Sequence, residues 1–279
     1  MPRRNGRSNQ PDDDGLPLSE GAPRKADRVA RDLIARVATQ EIAVGSLLPK
    51  EEELAASYGV TRGVLREAVK LLEVHRIVRP VRRRGTVVLD PLHSMSPEVL
   101  VAMLVPRPGH VDRKTLASFL ELRAAMDVEM LGHAATRRTA ADVQTLRAIV
   151  EQLADDLLDP RAFAKTLRRF PLAIARAAKS PVLEMLAAFN TRVVSELEAM
   201  SVATRPPSRE HVDGLRMLVE LIAQKDAEGA RKIVATFHAW ATPRILASAA
   251  LASGAPAPDV SKPARSKRGN GSATEKRSR

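Results

Sequence analysis

Apolar residues recur at helical spacing from the end of the first Pro- and Arg-rich segment onward. Val29, Leu33, Ile34, Val37 and Ile42 share one side of a 3.6-residue period and predict an amphipathic first helix, with Gly45 as its stop. The run LLPKEEELAASYGV predicts a second helix. Pro49 lies just before it, Glu51, Glu52 and Glu53 in its first turn favour the positive end of the helix dipole, and Gly59 ends it. Thr61 suits the N-cap of a third helix, VTRGVLREAVKLLEVH. Leu65, Ala68, Val69 and Leu72 form its inward stripe, and Arg62, Arg66 and Lys70 lie opposite. The period then changes from helix to strand. RIVRPVRRRGTVVLD holds two short β-branched runs about Arg82, Arg83, Arg84 and Gly85, a hairpin with a basic tip, and Pro80 marks an edge strand.

Beyond LDPLHSMSP, whose prolines and serines suit a linker, the helical period dominates. Amphipathic stretches run over 114–135, 140–158, 161–178, 181–201, 208–225 and 227–250, which pack most simply as a helical bundle with an aliphatic core. The expected fold is mainly α: an N-terminal winged helix-turn-helix with a small β-hairpin wing, and a C-terminal all-α bundle. The expected boundaries are a disordered tail at 1–22, the winged domain at 23–90, a linker and first helix at 91–111, the helical domain at 112–251 and a disordered basic tail at 252–279.

Composition narrows the function. The chain has 279 residues, 45 Lys and Arg against 33 Asp and Glu, and a formal net charge of +12, so a polyanionic partner is expected. It has no cysteine, which excludes disulfides, thiolate metal sites and cysteine nucleophiles and fits a reducing compartment. The N-terminus lacks a signal-type apolar run, and nothing approaches the roughly 18 apolar residues of a membrane helix. The expectation is a cytoplasmic, nucleoid-associated protein with no membrane partner. Histidines at 75, 93, 110, 133, 211 and 238 are scattered, without nucleophile–base spacing or a glycine-rich phosphate loop, so no catalytic residues and no enzyme are expected.

In a winged helix-turn-helix the last helix enters the major groove and the wing follows the adjacent backbone or minor groove. Arginine forks pair with O6 and N7 of guanine or hold phosphates. On a lone helix, Arg62, Arg66 and Lys70 read as a solvated face. The run LLPKEEELAASYGVTRGVLREAVKLLE followed by RRRGTVV resembles the N-terminal domain of GntR-type bacterial transcriptional regulators, and turns that reading toward double-stranded DNA. The resemblance places Thr61, Arg62 and Arg66 on recognition positions, and Gly85 with Thr86 at the wing end. Three departures accompany it. Glu52 stands where some relatives place an arginine against the DNA backbone. Gly63 and Val64 narrow polar readout and admit a thymine methyl contact. Arg83 replaces the first wing glycine. The expected DNA-binding residues are therefore Thr61, Arg62, Gly63, Val64, Arg66, Lys70, Arg82, Arg83, Arg84 and Gly85.

The stretch FLELRAAMDVEMLGHAATRRTAADVQTL, with FPLAIARAAKSPVL and QKDAEGARKIV further on, resembles the FCD effector domain of the FadR-like subfamily, through Glu121, Arg123, Glu129, Asp142 and Leu146. Many such domains bind a divalent metal through one Asp and three His. The resemblance places those four ligands at Leu167, Pro171, Leu215 and Phe237, so no metal and no cofactor is expected, although His211 and His238 lie near two of the positions. Pro171 should also kink its helix. Arg123 is the candidate for an anionic effector, against an internal salt bridge with Glu121, Glu129 or another helix. Two readings of the pocket stand open: a more apolar effector such as an acyl chain, or a collapsed pocket. The function expected is a sequence-specific DNA-binding transcriptional regulator, homodimeric on a palindromic operator and modulated by a small organic acid or acyl-type effector. The alternative is a constitutive regulator that has lost effector and metal binding.

Overall fold

The structure is a computed structural model that describes residues 24–200 and 206–252, without the side chains of 250–252. The chain divides into two compact units, residues 1–94 and 95–279. The tails expected to be disordered lie outside the described residues, apart from residue 252, which closes the last helix.

The first unit holds α1 (Lys25–Ala38), α2 (Glu51–Ser57), α3 (Arg62–Val74), β1 (Val78–Val81) and β2 (Gly85–Val88). α1 ends well before Gly45. The Thr39 hydroxyl turns back to the Ala35 carbonyl at 3.0 Å and Gln40 adopts φ 60°, which breaks the helical period. Ile42 is therefore not helical, yet it is buried. Gly45, expected as the helix stop, instead opens an extended segment beside β2. Its N–H donates to the Val88 carbonyl at 2.9 Å, the Leu48 N–H donates to the Thr86 carbonyl at 2.8 Å, and Leu47 bridges Val87. That leaves β1 as the edge strand, where Pro80 opposite Thr86 leaves no ladder donor missing.

Thr61 caps α3, its Oγ1 accepting from the Val64 N–H at 3.4 Å. α1 packs on α3, and Leu65, Ala68 and Leu72 of α3 and Leu33 and Val37 of α1 are all fully buried. Burying each large aliphatic side chain contributes about 1.5–3 kcal/mol, so this α1–α3 seam holds the unit. Val69, expected in the inward stripe, is only half-buried. Tyr58, at the end of α2, donates to Asp32 on α1 at 2.5 Å and accepts from Arg36 at 3.2 Å. Burial and then the Asp32 hydrogen bond push its phenol up to about 12.

The second unit is helical: α4 (Pro97–Leu104), α5 (Arg113–Arg137), α6 (Ala140–Asp155), α7 (Pro160–Leu167), α8 (Arg169–Ala177), α9 (Pro181–Ala199), α10 (Arg209–Ala223) and α11 (Ala227–Ala252). Side-chain caps mark many starts: Asp112 for α5, Thr139 with Asp142 in a capping box for α6, Asp159 before Pro160, Ser180 before Pro181, and Ser208 for α10. The stretch 161–178, expected as one helix, is two. In an unbroken helix the Pro171 ring would meet the Leu167 carbonyl and could not donate to it, and the chain breaks at Arg168, between them. Pro171 then falls in the first turn of α8, where no donor is missed. The central packing is α5 against α11, helped by Gly132, over which the Arg231 guanidinium lies. Leu146, Leu153, Phe163, Ile174 and Ile222 fill the main core.

Candidate nucleic-acid interface and effector cavity

The capped start of α3 leaves Thr61, Arg62, Gly63, Arg66 and Lys70 exposed and Val64 half-buried. Both arginines lean onto the first turn of α2. Arg62 Nη2 lies 2.7 Å from Glu52 Oε1, and Arg66 Nε lies 2.8 Å from Glu51 Oε2. The acidic turn that stabilises the α2 dipole therefore also holds the two guanidinium groups. The helix-turn-helix angle brings the start of α2 beside the exposed face of α3, a relation no local sequence period carries. Lys70, Arg82, Arg83 and Arg84 have no carboxylate partner among the described residues.

All three wing arginines are exposed. The tip closes with the Arg84 N–H on the Val81 carbonyl at 3.0 Å, and Arg83 adopts φ 62°, the left-handed region that glycine favours. The departure at the first wing glycine thus places an arginine in strained backbone, aimed outward. Gly85 has φ 109°, which an L side chain rarely adopts, although a Cβ there would meet only Leu47 at an ordinary 3.7 Å. Glycine is required at this position by the backbone angle, not by crowding.

In the second unit α5, α8, α9, α10 and α11 surround a cavity of about 440 Å³. Leu167, Pro171, Leu215 and Phe237, the four positions where the resemblance places metal ligands, all line it. So does Arg123. Its partner is neither Glu121 nor Glu129: Arg123 Nε lies 3.6 Å from Asp127 Oδ2, one turn on, while Glu129 faces Arg231 at 3.5 Å. Asp127 Oδ2 is also 2.9 Å from His238 Nε2 on α11. The side chains of Arg123, Asp127 and His238 are 23%, 15% and 10% exposed, so this trio is largely withdrawn from water. Asp127 was not among the expected site residues; its spacing of four from Arg123 was the one signal available.

His211 lies with its ring parallel to Phe237, centroids 6.4 Å apart, and tilted against Phe163 at 6.1 Å. Among the described residues no group of three or more His, Asp or Glu side chains is arranged to hold a metal. The donor set does not fit the ion: aliphatic, proline and phenyl groups occupy the ligand positions, and the near histidine, His238, is engaged with Asp127.

A capped helix presenting arginines, a basic hairpin beside it in sequence and a helical unit with its own cavity define a winged helix-turn-helix DNA-binding regulator. Residues 25–88 match the bacterial regulatory proteins of the gntR family, and residues 118–237 match the FCD domain. The chain belongs to the GntR family of DNA-binding transcriptional regulators and carries an FCD domain. It is similar to the galactonate operon transcriptional repressor of Escherichia coli (strain K12), 25% identical, over 79% of this chain and 96% of that one. It is also similar to the putative L-lactate dehydrogenase operon regulatory protein of the same organism, 27% identical, over 75% of this chain and 81% of that one. In fold it resembles the solved structure of Lar, which controls expression of the Listeria monocytogenes agr system. That match has a TM-score of 0.52 at 19% identity and covers 82% of this chain and 98% of that one. Families and relatives alike are regulators and not enzymes. Among the described residues no helix is long and apolar enough to cross a membrane.

Proposed function

We propose that the protein binds a palindromic operator as a homodimer, and that an organic-acid or acyl-type effector in the FCD domain modulates that binding. The observation that carries the DNA contact is the pair of α3 arginines held by exposed carboxylates, with no carboxylate on the wing arginines among the described residues. An exposed ion pair is worth about 0.2–1 kcal/mol, whereas a bidentate arginine–guanine contact discriminates by about 1–3 kcal/mol. Giving up Glu51 and Glu52 for a base edge or phosphate therefore costs little, and the carboxylates hold the forks until DNA takes them. Thr61, Gly63 and Val64 sit at the same helix start, where Val64 meets a thymine methyl. Lys70, Arg82, Arg83 and Arg84 take phosphates, and Gly85 lets the wing backbone approach.

A two-fold operator follows from a two-fold dimer, each half-site taking one winged domain of about residues 23–90. Val182 and Met185, one turn apart on α9 and 64% and 72% exposed, are apolar side chains that a second copy would cover. The names of the galactonate and L-lactate operon relatives support control of an operon for an organic acid. Effector coupling to DNA would lie in the usual range of about 1–3 kcal/mol.

The test is binding of the full chain to its own upstream DNA across a salt series. The expected result is a linear loss of log affinity with log salt and at least a tenfold loss in Arg66→Ala. Affinity indifferent to both salt and Arg66→Ala would sink the proposal.

A further inference from the structure

We propose that the cavity of the FCD domain binds, without a metal ion, a monocarboxylate with an apolar body, its carboxylate on Arg123 and its body against the residues that replaced the metal ligands. This deepens the effector reading above and rests on it for the consequence at the operator. The walls argue first. At Leu167, Leu215 and Phe237 no side-chain oxygen or nitrogen is available, and at Pro171 not even a backbone N–H. A hydroxyl seated against those four positions finds no partner on their side chains, whereas a methylene buried there is favoured. That wall therefore favours a hydrocarbon or aryl body over a galactonate-like one, with Asn190, Thr191, Ser208, Glu210 and His211 as the further polar groups of the lining.

The aromatic side chains point the same way. The chain has only five Phe, one Tyr and one Trp, and four of these seven, Phe119, Phe170, Phe237 and Trp240, line this cavity. Phe237 and Trp240 lie with centroids 6.3 Å apart, an extended apolar wall on α11.

The charged groups supply one end for an anion. Arg168 and Glu198 also line the cavity, but they face each other at 3.2 Å and offset one another. Asp127 is shared between His238 and Arg123. Arg123 Nε lies 3.6 Å from Asp127 Oδ2, too long for a good hydrogen bond, and its terminal nitrogens make no hydrogen bond among the described residues. A guanidinium set beside a carboxylate at Nε, with no hydrogen bond at its terminal nitrogens, can receive a carboxylate in bidentate fashion. Asp127 and His238 are positioning residues: they hold the fork toward the cavity and leave no carboxylate–histidine set for a cation.

The experiment uses the full chain, thermal unfolding and isothermal titration calorimetry. The probes are decanoate below its micelle range, 4-phenylbutyrate, decanol, lactate, galactonate and Zn²⁺ alone, each with and without EDTA. Decanoate or 4-phenylbutyrate at about a hundredfold excess over Kd should raise the melting temperature by about 5 °C or more, unchanged by EDTA. Arg123→Gln should weaken that binding at least tenfold. Leu215→Trp, which narrows the cavity and leaves Arg123 in place, should weaken it as well, so the result does not hang on one variant's folding. The proposal is overturned if Zn²⁺ stabilises the protein and EDTA reverses it, if lactate or galactonate binds in preference, if decanol binds as well as decanoate, or if neither apolar acid binds. Decanoate binding that leaves operator affinity unchanged supports the cavity assignment and removes the sensor reading.

Discussion

Two arginine–carboxylate arrangements in this protein use the same chemistry in opposite surroundings. On the exposed face of α3, Arg62–Glu52 and Arg66–Glu51 are pairs at 2.7 and 2.8 Å with the arginine side chains 60% and 65% exposed. In the FCD domain, Arg123, Asp127 and His238 form a longer, bent chain that is mostly buried. Water screens the first set, so its pairs are weak and exchangeable, which suits the proposed transfer of Arg62 and Arg66 to DNA. The second set cannot be opened without stranding a charge in an apolar cavity, which suits groups that must hold one geometry.

Opening the buried set should give the largest effect. Asp127→Ala leaves Arg123 and His238 facing each other without their shared carboxylate. A fully buried pair broken this way loses about 3–5 kcal/mol; with the residual exposure here, about 2–3 kcal/mol is expected, measured by chemical unfolding. A loss as small as that of an exposed pair would erase the distinction between the two sites.

Arg62→Ala and Arg66→Ala should each reduce operator affinity by about 10- to 100-fold while changing unfolding free energy by less than about 0.5 kcal/mol. Fluorescence anisotropy and unfolding curves on the same preparations would show whether function and stability separate as the exposure implies.

Tyr58→Phe removes the hydroxyl between Asp32 and Arg36 and should cost the DNA-binding unit about 1 kcal/mol. The pH sign follows from the raised phenol. The folded state favours the protonated form, so this stabilisation is full below about pH 10, the ordinary tyrosine value, and fades as pH rises toward about 12. Wild type and Tyr58→Phe unfolding curves should therefore converge across that interval.

Glu52→Gln frees Arg62 and should raise affinity for non-specific DNA by a few fold, the size of one exposed pair. Unaltered non-specific affinity would show that the pair does not compete with phosphates. Lys70→Ala should be smallest, an affinity loss of a few fold that is uniform across sequences, with the slope of log affinity against log salt shallower by about 0.9.

Much of this was legible along the chain because it rests on short-range rules. The helix-turn-helix was readable from Thr61, whose hydroxyl meets an N–H three residues on, and from a Leu65, Ala68, Leu72 stripe set by the helical repeat. Pro171 announced a break, because a proline ring conflicts with a carbonyl four residues back. Where the reading failed locally, at the end of α1, the competing structure was not local: Gly45–Leu48 left the helical course to pair with β2, some forty residues further along.

The sequence by itself determined the helices, their caps, the basic hairpin, the order of the two domains and the absence of metal-ligand chemistry at Leu167, Pro171, Leu215 and Phe237, since each depends on residue type at a fixed spacing. Only the tertiary structure decided that Arg62 and Arg66 rest on Glu52 and Glu51, that Arg123 lies beside an Asp127 shared with His238, and that those four positions line an open cavity instead of a collapsed one. Asp127 and His238 stand 111 residues apart. Only the packing of α5 against α11 brings them to hydrogen-bond distance, and helix packing depends on which faces meet, a property of the whole unit that no single stretch of sequence contains.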